Sequence, residues 1–234
     1  MRVHVFFLVY NEQKIISSLV EDAVSFMEVD FPDYEVTIID NSSTDNTPQI
    51  IKTISGKNPK VTMVRHEKNL GYAASVQDAL DHLNGDVAVI VDGDGQHTLE
   101  DLPKFMEKIC QGYEVVLGWK PIRKDPFYRV IAGWGYNVLF KLAFNFPVWD
   151  IDCGYRVLTK KAAEKIHLKN LDMPVGPEFV IQLYTNKLKV AQVSVQHFER
   201  QGGESSFRPF AFPILIAKVF LNLISLRIKT LGKI

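Results

Sequence analysis

The sequence predicts an α/β fold: a mostly parallel sheet flanked by helices, in one domain whose second half is less regular. Three observations predict it. Short β-branched runs alternate with runs of helical period through the first half; those strand runs are apolar on both faces; and the polar clusters fall where the strands end. A strand without a polar face needs cover on both sides, which a parallel sheet between helices provides. In such sheets ligands sit beyond the carboxyl ends of the strands.

The elements follow in order. "VHVFFLVY" (3–10) reads as a first strand, and "EQKIISSLVEDAVSFM" (12–27) as a helix with Ile15, Ile16, Leu19, Ala23 and Met27 on one face. "YEVTIID" (34–40) is a second strand, and "STDNTPQIIKTIS" (43–55) opens a helix behind Thr47-Pro48. Proline is tolerated there because the first turn of a helix has no partner for its amide hydrogen. "VTMVRH" (61–66) and "GYAASVQDALDHL" (71–83) give a third strand and helix, "DVAVIVD" (86–92) and "TLEDLPKFMEKIC" (98–110) a fourth pair, and "YEVVLG" (113–118) a fifth strand. Beyond Gly118 the pattern loosens into aromatic and basic stretches, with no second α/β repeat, internal repeat or low-complexity linker.

Composition narrows the class. Of 234 residues 47% are apolar and 23% charged, enough for a sizeable core. Twenty-seven basic residues balance 27 acidic ones, so no global field draws in nucleic acid. Cys110 and Cys153 form no metal-ligand spacing, which fits a reduced, cytoplasmic protein. The N-terminus reads as a strand and not as a signal peptide. No stretch reaches the ~20 uncharged apolar residues of a membrane span. Two come partway: residues 127–149, interrupted by Arg129 and Lys141, and residues 213–226, interrupted by Lys218 and Asn222.

The chemistry concentrates in "VDGDGQH" (91–97). In an extended chain residues i and i+2 point to one side, so Asp92, Asp94 and Gln96 converge. Two like charges held together are costly unless a cation lies between them, and an all-oxygen set suits Mg²⁺ or Mn²⁺. Gly93 and Gly95 keep the backbone narrow for a ligand's approach; the same "DGDG" also makes a good solvated turn. A second cluster, "IIDNSSTDNT" (38–47), brings Asp40 to a strand end, where an acid can bind a base or ribose. Its Thr44, Asp45 and Thr47 are helix-capping residues. His97 is expected to be structural.

Taken together these residues carry a resemblance. Tyr10-Asn11-Glu12, "DNSSTDNT" (40–47), "NLGYAAS" (69–75) and "VDGDGQH" occur in the order of the family 2 inverting glycosyltransferases of GT-A, Rossmann-like fold. "DIDCGYRVLTKKA" (150–162) and "RQGGESSF" (200–207) are similar to the polyprenyl-phosphate branch, which includes the dolichyl-phosphate mannose synthases. The resemblance spans residues 3–207 and implies roles. Asp92, Asp94 and Gln96 would hold Mg²⁺ or Mn²⁺ on the diphosphate of a nucleotide-sugar donor. Tyr10, Asn11, Glu12, Asp40 and Asn69 would cradle base and ribose. Lys120, Asp150, Arg156, Arg200 and Ser205 would serve the phosphates, arginine being suited to bidentate grip. The chain departs from the family at Leu8, where the family has proline, at Asn41, the second of a double aspartate, and at Gly118-Trp119-Lys120, a "GSR"-like motif. None of these touches the acidic pair.

The resemblance implies a nucleotide-sugar-binding half over 1–118, an acceptor-side half over 119–208, and an apolar, basic C-terminal helix over 209–234. An alcohol acceptor needs a general base, whereas a polyprenyl phosphate is already anionic. Glu178 is a candidate base and equally a helix N-terminal acid favoured by the dipole. Lys120, Arg123, Lys124 and Arg129 suit an anionic head group or a solvated loop. The aromatic residues of 127–149 and the C-terminal run have interfacial composition, so peripheral association with the cytosolic face of a membrane is expected. Two other functions stand beside lipid-phosphate transfer: transfer to a saccharide, and non-catalytic nucleotide-sugar binding. The absence of a G-x-G-x-x-G after the first strand argues against a NAD-linked Rossmann enzyme.

Overall fold

The computed structural model describes residues 1–169 and 175–201. One seven-stranded sheet runs through it, formed by β1 (Val3–Val9), β2 (Tyr34–Asp40), β3 (Val61–Arg65), β4 (Val87–Asp92), β5 (Val115–Trp119), β6 (Arg156–Thr159) and β7 (Val190–Ser194). The spatial order is β3-β2-β1-β4-β6-β5-β7. Every pairing is parallel except the two made by β6, which runs antiparallel between β4 and β5.

Alternation along the strands sorts the core into two layers. In β1, Val3, Val5, Phe7 and Val9 face one side, where α1 (Ile16–Asp30), α2 (Thr47–Ser55) and α4 (Leu102–Cys110) pack. Phe6 and Leu8 face the other, beneath α3 (Tyr72–Asp81), α5 (Phe127–Phe144), α6 (Lys160–Ala163) and α7 (Val175–Thr185). All seven residues of β1 are buried, the consequence of cover on both faces.

The predicted strands and first four helices are present, with shifts at their ends. Helix α1 starts at Ile16 and buries Ile16, Val20, Ala23 and Met27, so Val20 takes the central place expected of Leu19. A 3₁₀ turn over Leu99–Asp101 precedes α4. Strands β6 and β7 and helices α5 to α7 extend the fold past Gly118, where the sequence showed no repeat. Residues 119–201 thus share the sheet of the first half. The expected C-terminal helix over 209–234 lies outside the described residues, as does Ser205.

The strand order places the site. Chain connections run outward in one direction through β1, β2 and β3 and in the other from β4, so the crevice between the ends of β1 and β4 is the topological switch point. At that crevice Gly93 donates its amide hydrogen to the Leu8 carbonyl, 2.9 Å away. A Cβ at Gly93 would lie 2.4 Å from a Val9 methyl. This glycine therefore serves the packing of β4 on β1, and it also lines the pocket described below. Gly95 has a φ of +75°, a turn conformation that glycine adopts without strain.

Beneath the sheet's opposite end His4 is buried, with Nδ1 accepting from the Asn84 amide at 3.0 Å and Nε2 donating to Thr37 Oγ1 at 2.8 Å. Burial, then the nearby Arg2, lowers its pKa from 6.5 to about 4. The native state keeps the ring neutral, so between those values the unfolded chain binds the extra proton. The stability this contributes is complete above pH 6.5 and is lost as pH falls toward 4. Denaturant unfolding at pH 7.5 and pH 4.5 should show a loss about 3 kcal/mol larger for the wild type than for His4→Leu. Identical pH dependence in the two proteins would contradict the assignment.

Candidate active site

Loops after β1 and β2 are stitched together before they meet anything else. Asn11, at φ 58°, accepts from the Thr44 amide at 2.8 Å and donates its own amide to Ser43 Oγ at 2.9 Å. The Glu12 amide donates to Thr47 Oγ1 at 2.9 Å. Asp45 accepts from the Thr47 amide at 2.9 Å and from the Gln13 amide at 3.2 Å, the capping role read from its spacing. Asp40 is fully buried, accepts from the Ser43 amide at 3.0 Å and has Arg65 Nε 3.1 Å away. Asn11 and Asp40 therefore hold the loops together, and neither is among the residues that line the pocket.

Asn41 explains one departure from the family pattern. Its Oδ1 accepts from the Leu70 amide at 2.9 Å and lies 2.8 Å from His66 Nδ1, while its Nδ2 donates to Asn69 Oδ1 at 3.1 Å. An ionised aspartate has no hydrogen to donate, so only the amide can both accept and donate here. Asn69 in turn accepts from the Gly71 amide at 3.0 Å, just ahead of α3.

These loops border a pocket of about 870 Å³, within the usual range of small-molecule sites. Tyr10, Glu12, Asn69, Asp92, Asp94, Gln96, Lys120 and Arg200 all line it. Asp92 Oδ1 accepts from the Tyr72 hydroxyl at 2.7 Å, and its Oδ2 would collide with any Cβ at Gly154. Asp94 Oδ1 accepts from the Gln96 amide at 3.1 Å, and its Oδ2 lies 3.4 Å from Arg200 Nη1. Arg200 Nη2 donates to Glu12 Oε1 at 2.6 Å, so one guanidinium spans two acids from different loops. Burial, then the charge of Asp92, raises the Asp94 carboxyl. Burial raises Glu12 from 4.5 to about 7 against the pull of Arg200. This is a site short of positive charge. The Gln96 side chain donates to the Phe198 carbonyl at 3.3 Å, tying the metal-type loop to the segment that carries Arg200.

The cations on the far side share a counter-ion. Asp150 is buried, accepts from Arg123 Nη2 at 2.9 Å and has Lys120 Nζ 3.5 Å away. Although burial opposes ionisation, Lys120 and Arg123 hold its carboxyl below the ordinary value. Asp150 thus positions cations behind the pocket wall. Arg156 is buried in β6 with its guanidinium over the Phe179 ring and its Nη1 without a hydrogen bond. Neither Asp150 nor Arg156 lines the pocket itself.

Glu178 is corrected as a candidate base. It sits buried in the first turn of α7, accepts from the Lys169 amide at 3.0 Å and is not part of the pocket wall. The helix-terminal reading is the one that fits. The pocket instead presents Asp152, inside the quoted "DIDCGYR" motif but not singled out from it. Tyr72, Arg123 and His197 also border the pocket and were not assigned to the donor site; "NLGYAAS" contained the Tyr72 signal. His97 is structural as expected: buried, it donates from Nδ1 to the Gln196 carbonyl at 3.1 Å and meets Tyr155 and His197 edge-on.

An acidic pair at the switch point of a mostly parallel sheet, with arginine and lysine lining the same pocket, lies where sheets of this kind bind ligands. Residues 5–167 match glycosyl transferase family 2, and the chain belongs to that family. An undecaprenyl-phosphate 4-deoxy-4-formamido-L-arabinose transferase of Edwardsiella ictaluri (strain 93-146) is 26% identical over 203 residues, 85% of this chain. The chain spans 61% of the length of that curated relative. Among solved structures, glucosyl-3-phosphoglycerate synthase of Mycobacterium tuberculosis shares the fold. A complex with Mn²⁺, UDP and phosphoglyceric acid aligns with a TM-score of 0.71 at 18% identity, covering 97% of this chain and 78% of that one. A complex with Mn²⁺, UDP and glucosyl-3-phosphoglycerate gives 0.70 at 19%, covering 97% and 79%.

Because Glu178 holds backbone and not substrate, Glu178→Gln should leave kcat within about threefold while thermal unfolding moves down by about 2–4 °C. A loss of several orders in turnover with an unchanged melting temperature would return Glu178 to the chemistry.

Proposed function

We propose that the chain transfers a sugar, with inversion, from a UDP- or GDP-sugar to a polyprenyl phosphate, using Mg²⁺ or Mn²⁺ held by Asp92, Asp94 and Gln96. One observation carries the reading: a single pocket joins an acidic pair and phosphate-type cations at the sheet to an apolar wall from α5. The relative from Edwardsiella ictaluri is named for undecaprenyl phosphate, and the solved neighbours contain Mn²⁺ with UDP, both of which support it.

The residues fit a divalent ion. Asp94 is raised by burial and by Asp92, so the pair is under-compensated and favours an added cation. The donors are oxygens, the set for a hard ion. Among the described residues no group of three or more His, Cys, Asp or Glu is gathered, and Mg²⁺ ordinarily takes one or two carboxylates, completing its shell with water and phosphate oxygens. When bound, the ion neutralises charge growing on the departing nucleoside diphosphate.

The chain's own residues do the rest. Tyr72 holds Asp92 in place through its hydroxyl, and Gly154 leaves room for that carboxylate. Arg200, already reaching two acids with two nitrogens, is placed to grip the diphosphate bidentately. Tyr10, Glu12 and Asn69, which line the pocket, would meet the donor, and Lys120 the acceptor phosphate. The acceptor oxygen is anionic at neutral pH, so no base is required. A saccharide acceptor is the second reading, and Asp152 on the pocket wall supports it, since a carboxylate there would take the hydroxyl proton.

Peripheral contact with the cytosolic face of a membrane belongs to the same reading. Phe127, Trp134 and Leu142 of α5 are 79%, 69% and 78% exposed. Among the described residues no helix is long and apolar enough to cross a membrane.

UDP- and GDP-sugars with Mn²⁺ or Mg²⁺ should release nucleoside diphosphate faster when farnesyl phosphate is added than with an oligosaccharide. The reverse order would select the saccharide reading. Asp94→Asn should lower turnover by at least roughly a hundredfold, a loss of several kcal/mol of barrier stabilisation, without lowering the melting temperature. Wild-type turnover in that variant would remove the metal assignment. The protein should also pellet with anionic liposomes, and failure to do so while folded would end the membrane reading.

A further inference from the structure

Helix α5 carries two glycines, Gly133 and Gly135, and packing explains one of them. A Cβ at Gly133 would lie 2.4 Å from Arg123 Nη1, so glycine lets the guanidinium cross the helix on its way to Asp150. At Gly135 an added Cβ would meet nothing within 4 Å, and the backbone is not left-handed. Glycine inside a helix costs about 1 kcal/mol relative to alanine. Folding alone therefore favours a larger residue at 135.

Gly135 lines the same pocket as Asp92, Asp94 and Arg200. So do Ile131 and Leu139, four residues before and after it on the same helical row. A glycine between two branched side chains on an i±4 row leaves a notch across the helix. That row, at 127, 131, 135, 139 and 143, reads Phe-Ile-Gly-Leu-Ala and contains no polar side chain.

We propose that this notch seats the apolar chain of the acceptor beside its phosphate, and that Gly135 sets the girth of chain the enzyme accepts. The assignment rests on the lipid-phosphate reading. Polarity selects the occupant: the pocket is cationic at Lys120 and Arg200 and apolar at Ile131 and Leu139, so a ligand filling both parts is anionic at one end and apolar at the other. A saccharide or a small phosphorylated acid would use the polar end and leave the notch empty.

Gly135→Ala and Gly135→Leu test it, with farnesyl phosphate as acceptor and thermal unfolding and nucleoside diphosphate affinity as controls. Gly135→Ala should melt at or above the wild-type temperature and raise the KM for farnesyl phosphate by about threefold. Gly135→Leu should bind nucleoside diphosphate with wild-type affinity and raise that KM by at least roughly tenfold. If the leucine variant does not fold, the alanine variant, for which space exists, carries the test. Wild-type KM in the folded variants, with the wild type using the lipid well, overturns the notch and leaves the lipid-phosphate reading standing. A wild type that glycosylates no prenyl phosphate removes the lipid reading and the notch with it.

Discussion

The electrostatic relation between Asp92, Asp94 and the cations around them is the constraint on which the pocket depends. Two carboxylates two residues apart, at the end of a buried strand, repel each other, and a nearby cation relieves that cost. The protein meets that need incompletely. Arg200 reaches Asp94 but shares itself with Glu12, and Tyr72 gives Asp92 a hydrogen bond and no charge. Lys120 and Arg123 are committed to Asp150. Burial raises the carboxyls of both Asp94 and Glu12, with the charge of Asp92 adding to the rise at Asp94.

That arrangement requires firm support, because each charged group comes from a different loop. The loops after β1 and β2 are bound to each other by Asn11, Ser43, Asp45 and Thr47. Asn41, His66 and Asn69 join the next turn to them. On the far side the antiparallel β6 enters between β4 and β5 and brings Gly154 and Arg156 against the acidic loop. Helix α5 borders the pocket with apolar side chains, so a polar cluster and an apolar wall share one space.

Much of this was legible in the sequence, and the reasons differ by element. The first five strands were read because their apolar runs are continuous and bounded by turn residues. Strand β6 has four residues and no flanking turn signal of its own, and its place in the sheet depends on two partners distant in sequence. Helix α5 is apolar on most sides, so its composition gave interfacial character but not which side lines the pocket. The acidic pair was legible because spacing two in a strand fixes a common side. Asp40 and Glu178 were not, since an acid at an element's end can equally face a ligand or hold the backbone. Only the neighbouring amides of Ser43 and Lys169 decide that choice.

By itself the sequence determined the α/β class, the order of the first elements, the family and the strand ends at which its chemistry would gather. These follow from local periodicity and from motifs contiguous along the chain. The tertiary structure alone decided which polar residues face the common space. It turned Asp40, Asn11 and Asp150 to supporting roles, brought Tyr72, Asp152 and Gly135 to the pocket, and bridged Glu12 to Asp94 through Arg200. Those outcomes depend on contacts between residues up to 188 apart, which no local pattern encodes.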